Sequence, residues 1–357
     1  KDANDELIHS VFSLQDALNN PIDYPVEGTF TAVDVWDEIL ELYRNGDEET
    51  IKPKSNDFEE FNKIFSILMG QLTTVTGIPS SGKSNWVEWF VTQLLCDHDN
   101  LKASFFSPEH LPMRKHHEVL SEKVVGKKFS ASKFDNRMNE DELTKYRDWS
   151  KDKIYLTAPD KGELVSWDWL LERFKEQCFK YGCNIFVIDA FNKVKRKNGE
   201  SLAEIGEILA RITAFCQAYD VHVFLIAHPT KMRKIEGTEK YEIPDLYSVK
   251  GSGDFRDQTH NGLCVHRDYE TGEVIVKNLK AKFKNQGSGS IGSFVTFSYD
   301  LNNGRYYNGS PSDRPLWEKT SSQQTIEPIQ SNIEYSRRSA LNRQSGYSNN
   351  LIDDCPF

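Results

Sequence analysis

Apolar and polar positions along this chain switch between strand-like runs and helical spacing, and the switching predicts its architecture. Leu72-Thr73-Thr74-Val75-Thr76 reads as a strand running into a Gly/Pro/Ser loop. A helix over 83–97 follows, with Trp86, Val87, Trp89, Phe90 and Leu94 apolar. The strand Ala103–Phe106 precedes helical patterns over 111–125 and 139–150, and Ile154–Leu156 precedes a helix over 165–182 ended by Gly182. Ile185-Phe186-Val187-Ile188 is apolar at every position, as expected of a central parallel strand covered on both faces. A helix over 201–219 and the strand Val221–Ile226 come next. This alternation predicts an α/β sandwich with a mostly parallel sheet. Residues 261–300 then turn β-rich, in Gly262–Val265, Val274–Val276 and Phe294–Phe297.

The flanks read differently. Residues 1–30 are polar, with a Pro-containing stretch at Asn20–Pro25, and read as a linker. Val33, Val35, Trp36, Ile39, Leu40 and Tyr43 fall at helical spacing before Gly46, predicting an amphipathic helix over 33–45. The core is expected to begin near Phe58 and run to 308. After Gly309 the composition turns to Ser, Asn, Gln and Arg, which predicts a disordered tail over 309–357. Starting at Lys1 rather than Met, the chain is expected to be a fragment or a processed product.

Composition narrows the function classes. Hydrophobic residues make up 38% and charged residues 27%, enough for a core beneath a polar surface. There is no apolar run of about 18 residues and no apolar leader, so neither a membrane span nor secretion is expected. Six cysteines are scattered without a CxxC pair, so reduced, mostly buried thiols are expected in place of a zinc site. That suits the cytoplasm of a bacterial or phage-infected cell, or another reducing compartment. A net charge of -10 argues against a uniformly basic nucleic-acid binder, but not against positive charge confined to a channel.

The sharpest chemical signal is Gly77-Ile78-Pro79-Ser80-Ser81-Gly82-Lys83-Ser84, which satisfies G-x-x-x-x-G-K-[ST] at every constrained position, between a strand and a helix. The glycines let backbone N–H groups turn inward around phosphates, and the helix N-terminus adds partial positive charge. Lys83 is expected to reach the β- and γ-phosphates and Ser84 to ligate Mg²⁺. Asp189, at the C-terminal end of the strand Ile185–Ile188, is the expected acidic partner for the metal. Two further strand ends carry candidates. Glu109, in Ser107-Pro108-Glu109, either polarises the attacking water or complements a helix dipole. His228, in Ala227-His228-Pro229-Thr230-Lys231, either senses the γ-phosphate or is structural. Basic residues follow the same strands: Lys193, Lys195, Arg196 and Lys197 in one cluster, Lys231, Arg233 and Lys234 in another. Lys277, Lys280, Lys282 and Lys284 form a third, between late strands. They suit a channel gripping a nucleic-acid backbone, or a solvated charged face.

Taken in order, Gly70–Gly77, the phosphate loop, Ser107-Pro108-Glu109, Ile188-Asp189, Ala227–Lys231, Lys250-Gly251-Ser252-Gly253-Asp254 and Val265-His266-Arg267-Asp268 resemble the helicase domain of Twinkle-type and related phage primase-helicases, in the DnaB-like superfamily. The resemblance spans about residues 30–307. It implies a RecA-like core and a hexameric ring that uses ATP or a dNTP with Mg²⁺ to move 5′ to 3′ on single-stranded DNA. In that frame Glu109 matches the catalytic carboxylate, His228 the γ-phosphate sensor, and the basic residues after Asp189 and His228 two DNA-binding loops. The helix at 33–45 matches the linker helix that docks on a neighbour, and the opening residues (1–8) resemble the close of a preceding Toprim primase domain. The family's trans-acting arginine stands in a Lys-x-Arg-Phe run; here the run is Lys280-Ala281-Lys282-Phe283, so Lys282 takes its place, with Lys280 and Arg267 as alternatives. The closing Ile352-Asp353-Asp354-Cys355-Pro356-Phe357 resembles the acidic tip of bacterial single-stranded-DNA-binding proteins, which implies recruitment of replication partners. A strand-exchange recombinase of the RecA/RadA type and a non-catalytic loader remain the alternative readings.

Overall fold

The computed structural model describes residues 28–45, 50–130, 137–160, 163–196, 202–230, 241–249 and 252–318, together with Asn19, Val26, Met232, Lys234 and Ile235. The chain divides into two units, Lys1–Glu49 and Thr50–Phe357. The described part of the first is built on one helix, α1 (Trp36–Asn45), three residues shorter at its start than the apolar spacing predicts. The Thr31 N–H and hydroxyl both donate to Asp34 Oδ2, at 2.6 and 2.7 Å, holding 32–35 as turns ahead of the helix.

The second unit is an α/β sandwich. Its helices are α2 (Glu59–Ile64), α3 (Lys83–Asp97), α4 (Met113–Val125), α5 (Glu140–Ser150), α6 (Trp167–Tyr181), α7 (Leu202–Tyr219) and α8 (Ser252–Gln258). Its strands are β1 (Leu72–Thr76), β2 (Ala103–Phe106), β3 (Ile154–Thr157), β4 (Ile185–Asp189), β5 (His222–Ile226), β6 (Asn261–Arg267), β7 (Glu273–Lys280), β8 (Phe294–Tyr299) and β9 (Tyr306–Tyr307). They form one sheet in the order β3-β2-β4-β5-β1-β6-β7-β8-β9. The pairs from β3 to β6 are parallel, and β6-β7-β8-β9 extend the sheet antiparallel. The predicted mostly parallel sheet is therefore present, and the β-rich segments of 261–300 form its antiparallel edge.

Side-chain alternation shows why the central strands read as unbroken apolar runs. On β4, Ile185 and Val187 pack with Trp86, Phe90 and Leu94 of α3 in one core, while Phe186 and Ile188 pack with Leu170 and Phe174 of α6 and Leu209 and Ile212 of α7 in the other. Both faces are covered, so both sets of positions must be apolar. Local signals end the helices: Ser166 caps α6 by accepting from the Trp169 N–H, and Gly182 closes it at a φ of 72°.

Two expectations need correcting. Residues 309–318, expected to belong to the tail, pack on the domain instead. Leu316 donates its N–H to the Val124 carbonyl at 2.8 Å, and Leu316 and Trp317 lie against the α3–α4 core. Arg305 organises this return. It is 1% exposed and donates to the carbonyls of Lys123, Val124 and Ser312. Lys277 and Lys280, expected between strands, lie on β7 itself. The residues expected to form a Toprim remnant and the Ile352–Phe357 tip lie outside the described residues. No helix among those described is long and apolar enough to cross a membrane.

Candidate active site

Four loops leave one end of the parallel sheet and meet. Because β2, β4, β5 and β1 are consecutive in the sheet, Ser107, Asp189, His228 and Gly77 emerge side by side at their C-terminal ends. Open α/β sheets bind ligands at this edge.

The phosphate loop is shaped by what surrounds it. A Cβ at Gly77 would lie 2.1 Å from the Val265 carbonyl oxygen, so β6 passes too close for any side chain. Gly82, at a φ of 90°, caps α3, and its carbonyl accepts from the Tyr306 hydroxyl at 3.2 Å. Ser80 takes a left-handed φ of 63°. Pro79 and Ser80 are exposed, whereas Ile78, Ser81 and Lys83 are buried. Lys83 Nζ donates to the Gly77 and Ile78 carbonyls, each at 2.8 Å. Burial lowers its pKa to about 8, against the opposing pull of Asp189.

Asp189 is 4% exposed, and burial raises its pKa, partly offset by hydrogen bonds from the Ser84 and Ser107 hydroxyls. The Ser107 bond is 3.2 Å. Glu109 stands on a 3-10 turn, Pro108–His110, and its Oε1 is 2.9 Å from Lys193 Nζ. That contact holds the Glu109 pKa below the usual glutamate value, against the opposing effect of burial. His228 feels burial, then the charges of Lys83, Glu109, Asp189 and Lys193, and its pKa falls. One cluster thus unites Lys83, Ser84, Asp189, Glu109, His228 and Lys193.

The lining fits a nucleotide and its cation. Ser81 Oγ, Thr76 Oγ1 and His228 Nδ1 are buried without a hydrogen-bond partner among the described residues. Buried polar groups ordinarily have one. Phosphate oxygens and a hydrated cation supply partners of that kind, next to the Ser84 hydroxyl and the Asp189 carboxylate.

The other predicted residues are placed unevenly. Lys195 donates its N–H to the Val165 carbonyl at 2.7 Å, and the Arg196 guanidinium lies 5.8 Å from the Phe191 ring centre. Lys234 lies over Tyr241 at 6.0 Å. Lys197, Lys231 and Arg233 fall outside the described residues. Lys280 Nζ is engaged by the carbonyls of Arg256 and Asp257 at 2.6 and 3.3 Å. Arg267 lies over the rings of Tyr269 and Tyr299. Lys282 is exposed, and its N–H donates to Asn261 Oδ1 at 3.1 Å.

Sequence reading missed two groups near the site. One is aromatic: the Tyr306 hydroxyl on Gly82, and the Tyr269 hydroxyl donating to the Ser80 carbonyl at 3.0 Å. The other is a buried charge network beneath the Glu109 turn. Glu88, on α3, meets His110 Nδ1 at 2.9 Å and His116 Nε2 at 2.8 Å through one oxygen, and Lys123 Nζ at 3.0 Å through the other. Both imidazole nitrogens lie within hydrogen-bonding distance of that oxygen. The two imidazole nitrogens and a Glu88 oxygen lie within 4.8 Å of one another, a spacing a cation would accept. The Lys123 ammonium already supplies positive charge to this carboxylate. Burial alone would raise the Glu88 pKa, but Lys123, His110 and His116 outweigh it and hold the carboxyl well below its usual range.

Glu88→Gln is therefore expected to destabilise the domain by about 3–5 kcal/mol, because Lys123 would be left buried and uncompensated. Chemical denaturation measures this, and an unchanged midpoint would show that Lys123 finds another counter-charge. The sign with pH follows from a depressed pKa. Glu88's contribution is present above the ordinary glutamate value and is lost only as pH falls through the lower folded one.

A deeply wrapped phosphate loop, an acidic β4 terminus and a carboxylate on the neighbouring β2 turn are features of a RecA-like P-loop NTPase fold. The comparisons with known proteins place it further. No protein-family model matches the chain. It is 31% identical over 331 residues to the Twinkle homolog protein, chloroplastic/mitochondrial, of Arabidopsis thaliana. That match covers 88% of this chain and 44% of the relative, so the chain spans less than half of that protein. Among solved structures, one described as an ATPase domain matches with a TM-score of 0.62 at 14% identity, over 79% of this chain and all of that one. A DnaB-like replicative helicase, described with its interactions with primase, matches with a TM-score of 0.60 at 16% identity, over 86% of this chain and 74% of that one. These two share the fold. Over its 331 matched residues the chain is a sequence relative of the Twinkle homolog, and its fold is the one seen in the DnaB-like ATPase domains.

Proposed function

We propose that the chain is the motor portion of a ring-forming replicative DNA helicase. It hydrolyses ATP or a dNTP to move 5′ to 3′ on single-stranded DNA and separate the duplex ahead. The observation that carries this reading is the cluster at the sheet edge, where Lys83, Asp189, Glu109 and His228 meet Lys193 from the loop after β4.

Each side chain has a distinct task. Lys83 holds the β- and γ-phosphates, Ser84 and Asp189 would hold Mg²⁺, and His228 reads the γ-phosphate next to Lys83. Bound there, Mg²⁺ would neutralise charge developing on the phosphates. Glu109 orients the attacking water and accepts its proton. Lys193, Lys195, Arg196 and Lys234, with Lys197, Lys231 and Arg233, are the basic residues that bind the DNA backbone. Lys282 completes a neighbour's site in a hexamer. The Ile352–Phe357 tip recruits replication partners. The working compartment is a reducing one, bacterial, phage-infected or organellar.

The test is nucleotide hydrolysis by the assembled protein with and without single-stranded DNA, beside unwinding of a forked duplex. DNA-stimulated hydrolysis together with unwinding is expected. Hydrolysis indifferent to DNA, or stimulated hydrolysis that never opens the fork, would remove the helicase reading and favour a strand-exchange or loading role.

A further inference from the structure

Glu109 and Lys193 reach each other from different strand ends. Glu109 lies on the 3-10 turn Pro108–His110 after β2, and Lys193 closes the 3-10 turn Phe191–Lys193 after β4. β2 and β4 are adjacent and parallel, with Phe106 beside Ile188, so the two turns leave the sheet together. Lys193 Nζ sits 2.9 Å from Glu109 Oε1, with the two side chains 40% and 47% exposed.

The backbone beneath this pair is anchored on both sides. Ser107 holds Asp189, and His110 is held by Glu88 of the phosphate-loop helix. The Lys193 N–H donates to the Ala190 carbonyl at 2.9 Å, and Val194 beyond it is 2% exposed. The two side-chain arms are what can move. An exposed ion pair is weak and readily exchanged for another. A nucleic-acid phosphate is a competing anion for the same ammonium, and Lys193 belongs to the basic segment that follows β4.

The pairing also bears on the chemistry. With its Oε1 engaged, Glu109 has one oxygen fewer for water, and the ammonium makes it a poorer proton acceptor. His228 and His110 face Glu109 as well, but among the described residues only Lys193 holds it by direct contact at this distance.

We propose that Lys193 is the positioning residue that couples DNA to hydrolysis. It holds Glu109 when no DNA is bound, and it is drawn off by a DNA phosphate when DNA enters. The released carboxylate then takes the proton of the attacking water. The water oxygen bonds to the γ-phosphorus, and the bridging P–O bond breaks with its electrons going to the nucleoside diphosphate. The proposal rests on the helicase reading, and in particular on Glu109 as the water-activating group.

The experiment compares wild type, Lys193→Gln and Lys193→Arg as full chains in their assembled state. Steady-state hydrolysis of Mg-ATP is measured without DNA and at saturating oligo-dT. In Lys193→Gln, hydrolysis without DNA is expected to rise about tenfold, toward the DNA-stimulated rate of wild type, and the stimulation ratio to fall toward about one. Oligo-dT affinity should weaken modestly, with the salt slope reduced by about one phosphate contact. The acidic limb of the DNA-free rate profile should move to higher pH, because Glu109 loses the ammonium that depresses its pKa, a shift that a bare DNA contact would not produce. Lys193→Arg should restore both the low DNA-free rate and the stimulation. If Lys193→Gln leaves the DNA-free rate at or below wild type while saturating DNA still gives the full ratio, Lys193 is a DNA contact only and the coupling fails. If wild type itself shows no stimulation by DNA, the helicase reading fails, and the coupling with it.

Discussion

Glu109→Gln should lower the hydrolysis rate about a thousandfold, within the roughly 10²–10⁴ that a positioned general base contributes. Nucleotide affinity should stay within about threefold of wild type. The separation follows from the geometry. Binding rests on the loop from Gly77 to Gly82 between β1 and α3, and on Lys83 and Ser84 in the first turn of α3. Glu109 belongs to the turn after β2, and its one close ionic partner among the described residues is Lys193. The isosteric amide keeps the shape of the turn, and the anchors on either side of it do not depend on Glu109: Ser107 on Asp189, and His110 on Glu88. What is lost is the capacity to accept a proton. Single-turnover hydrolysis beside equilibrium binding of a fluorescent nucleotide measures both quantities on one preparation. A parallel loss of binding and rate would mean that Glu109 shapes the site instead of acting on water, and would return it to the helix-dipole role its position also allows.

How far the site was legible depends on whether its information is local. The phosphate loop and Asp189 could be read because each is a short pattern attached to an apolar strand. The sheet could be read because Ile185–Ile188 of β4 and Val223–Ile226 of β5 are covered on both faces and are apolar at every position. The Glu88 network could not. Glu88 is one of several polar residues on α3, beside Asn85, Thr92 and Gln93, and its partners come from 110, 116 and 123, across the β2 strand. Spacing along the chain carries no trace of that meeting. Residues 309–318 misled for a related reason. Their composition is that of a tail, and what holds them is Arg305, whose guanidinium satisfies backbone carbonyls that no local pattern announces. Charge counting also overstated the basic face. Lys280 is a run member by sequence, but it is committed to the end of α8.

In the proposed ring, that commitment separates the three candidates for the group acting in trans. A group acting in trans has to project from its own subunit with its charge unspent. Lys280 has its ammonium on the Arg256 and Asp257 carbonyls, with its pKa lowered by burial. Arg267 lies over the rings of Tyr269, in the β6–β7 turn, and Tyr299 of β8. Lys282 has its backbone pinned to Asn261 and its side chain exposed. Lys282→Ala is therefore expected to cost about a thousandfold in hydrolysis by the assembled protein, the lower end of what a trans-acting cation supplies, with nucleotide binding within about threefold. Mixing separates a trans role from a local one. Lys282→Ala subunits keep Glu109, and Glu109→Gln subunits keep Lys282, so some interfaces in a mixed ring are complete, and hydrolysis should recover above either variant alone. Lys282→Arg should at least retain the wild-type rate, since a guanidinium adds a bidentate grip on phosphate oxygens that an ammonium lacks. Lys280→Ala should instead loosen α8 and appear in stability more than in rate. Absence of any recovery on mixing, in rings shown to contain both variants, would place Lys282 in its own subunit's site, and Arg267 would become the residue to test in trans.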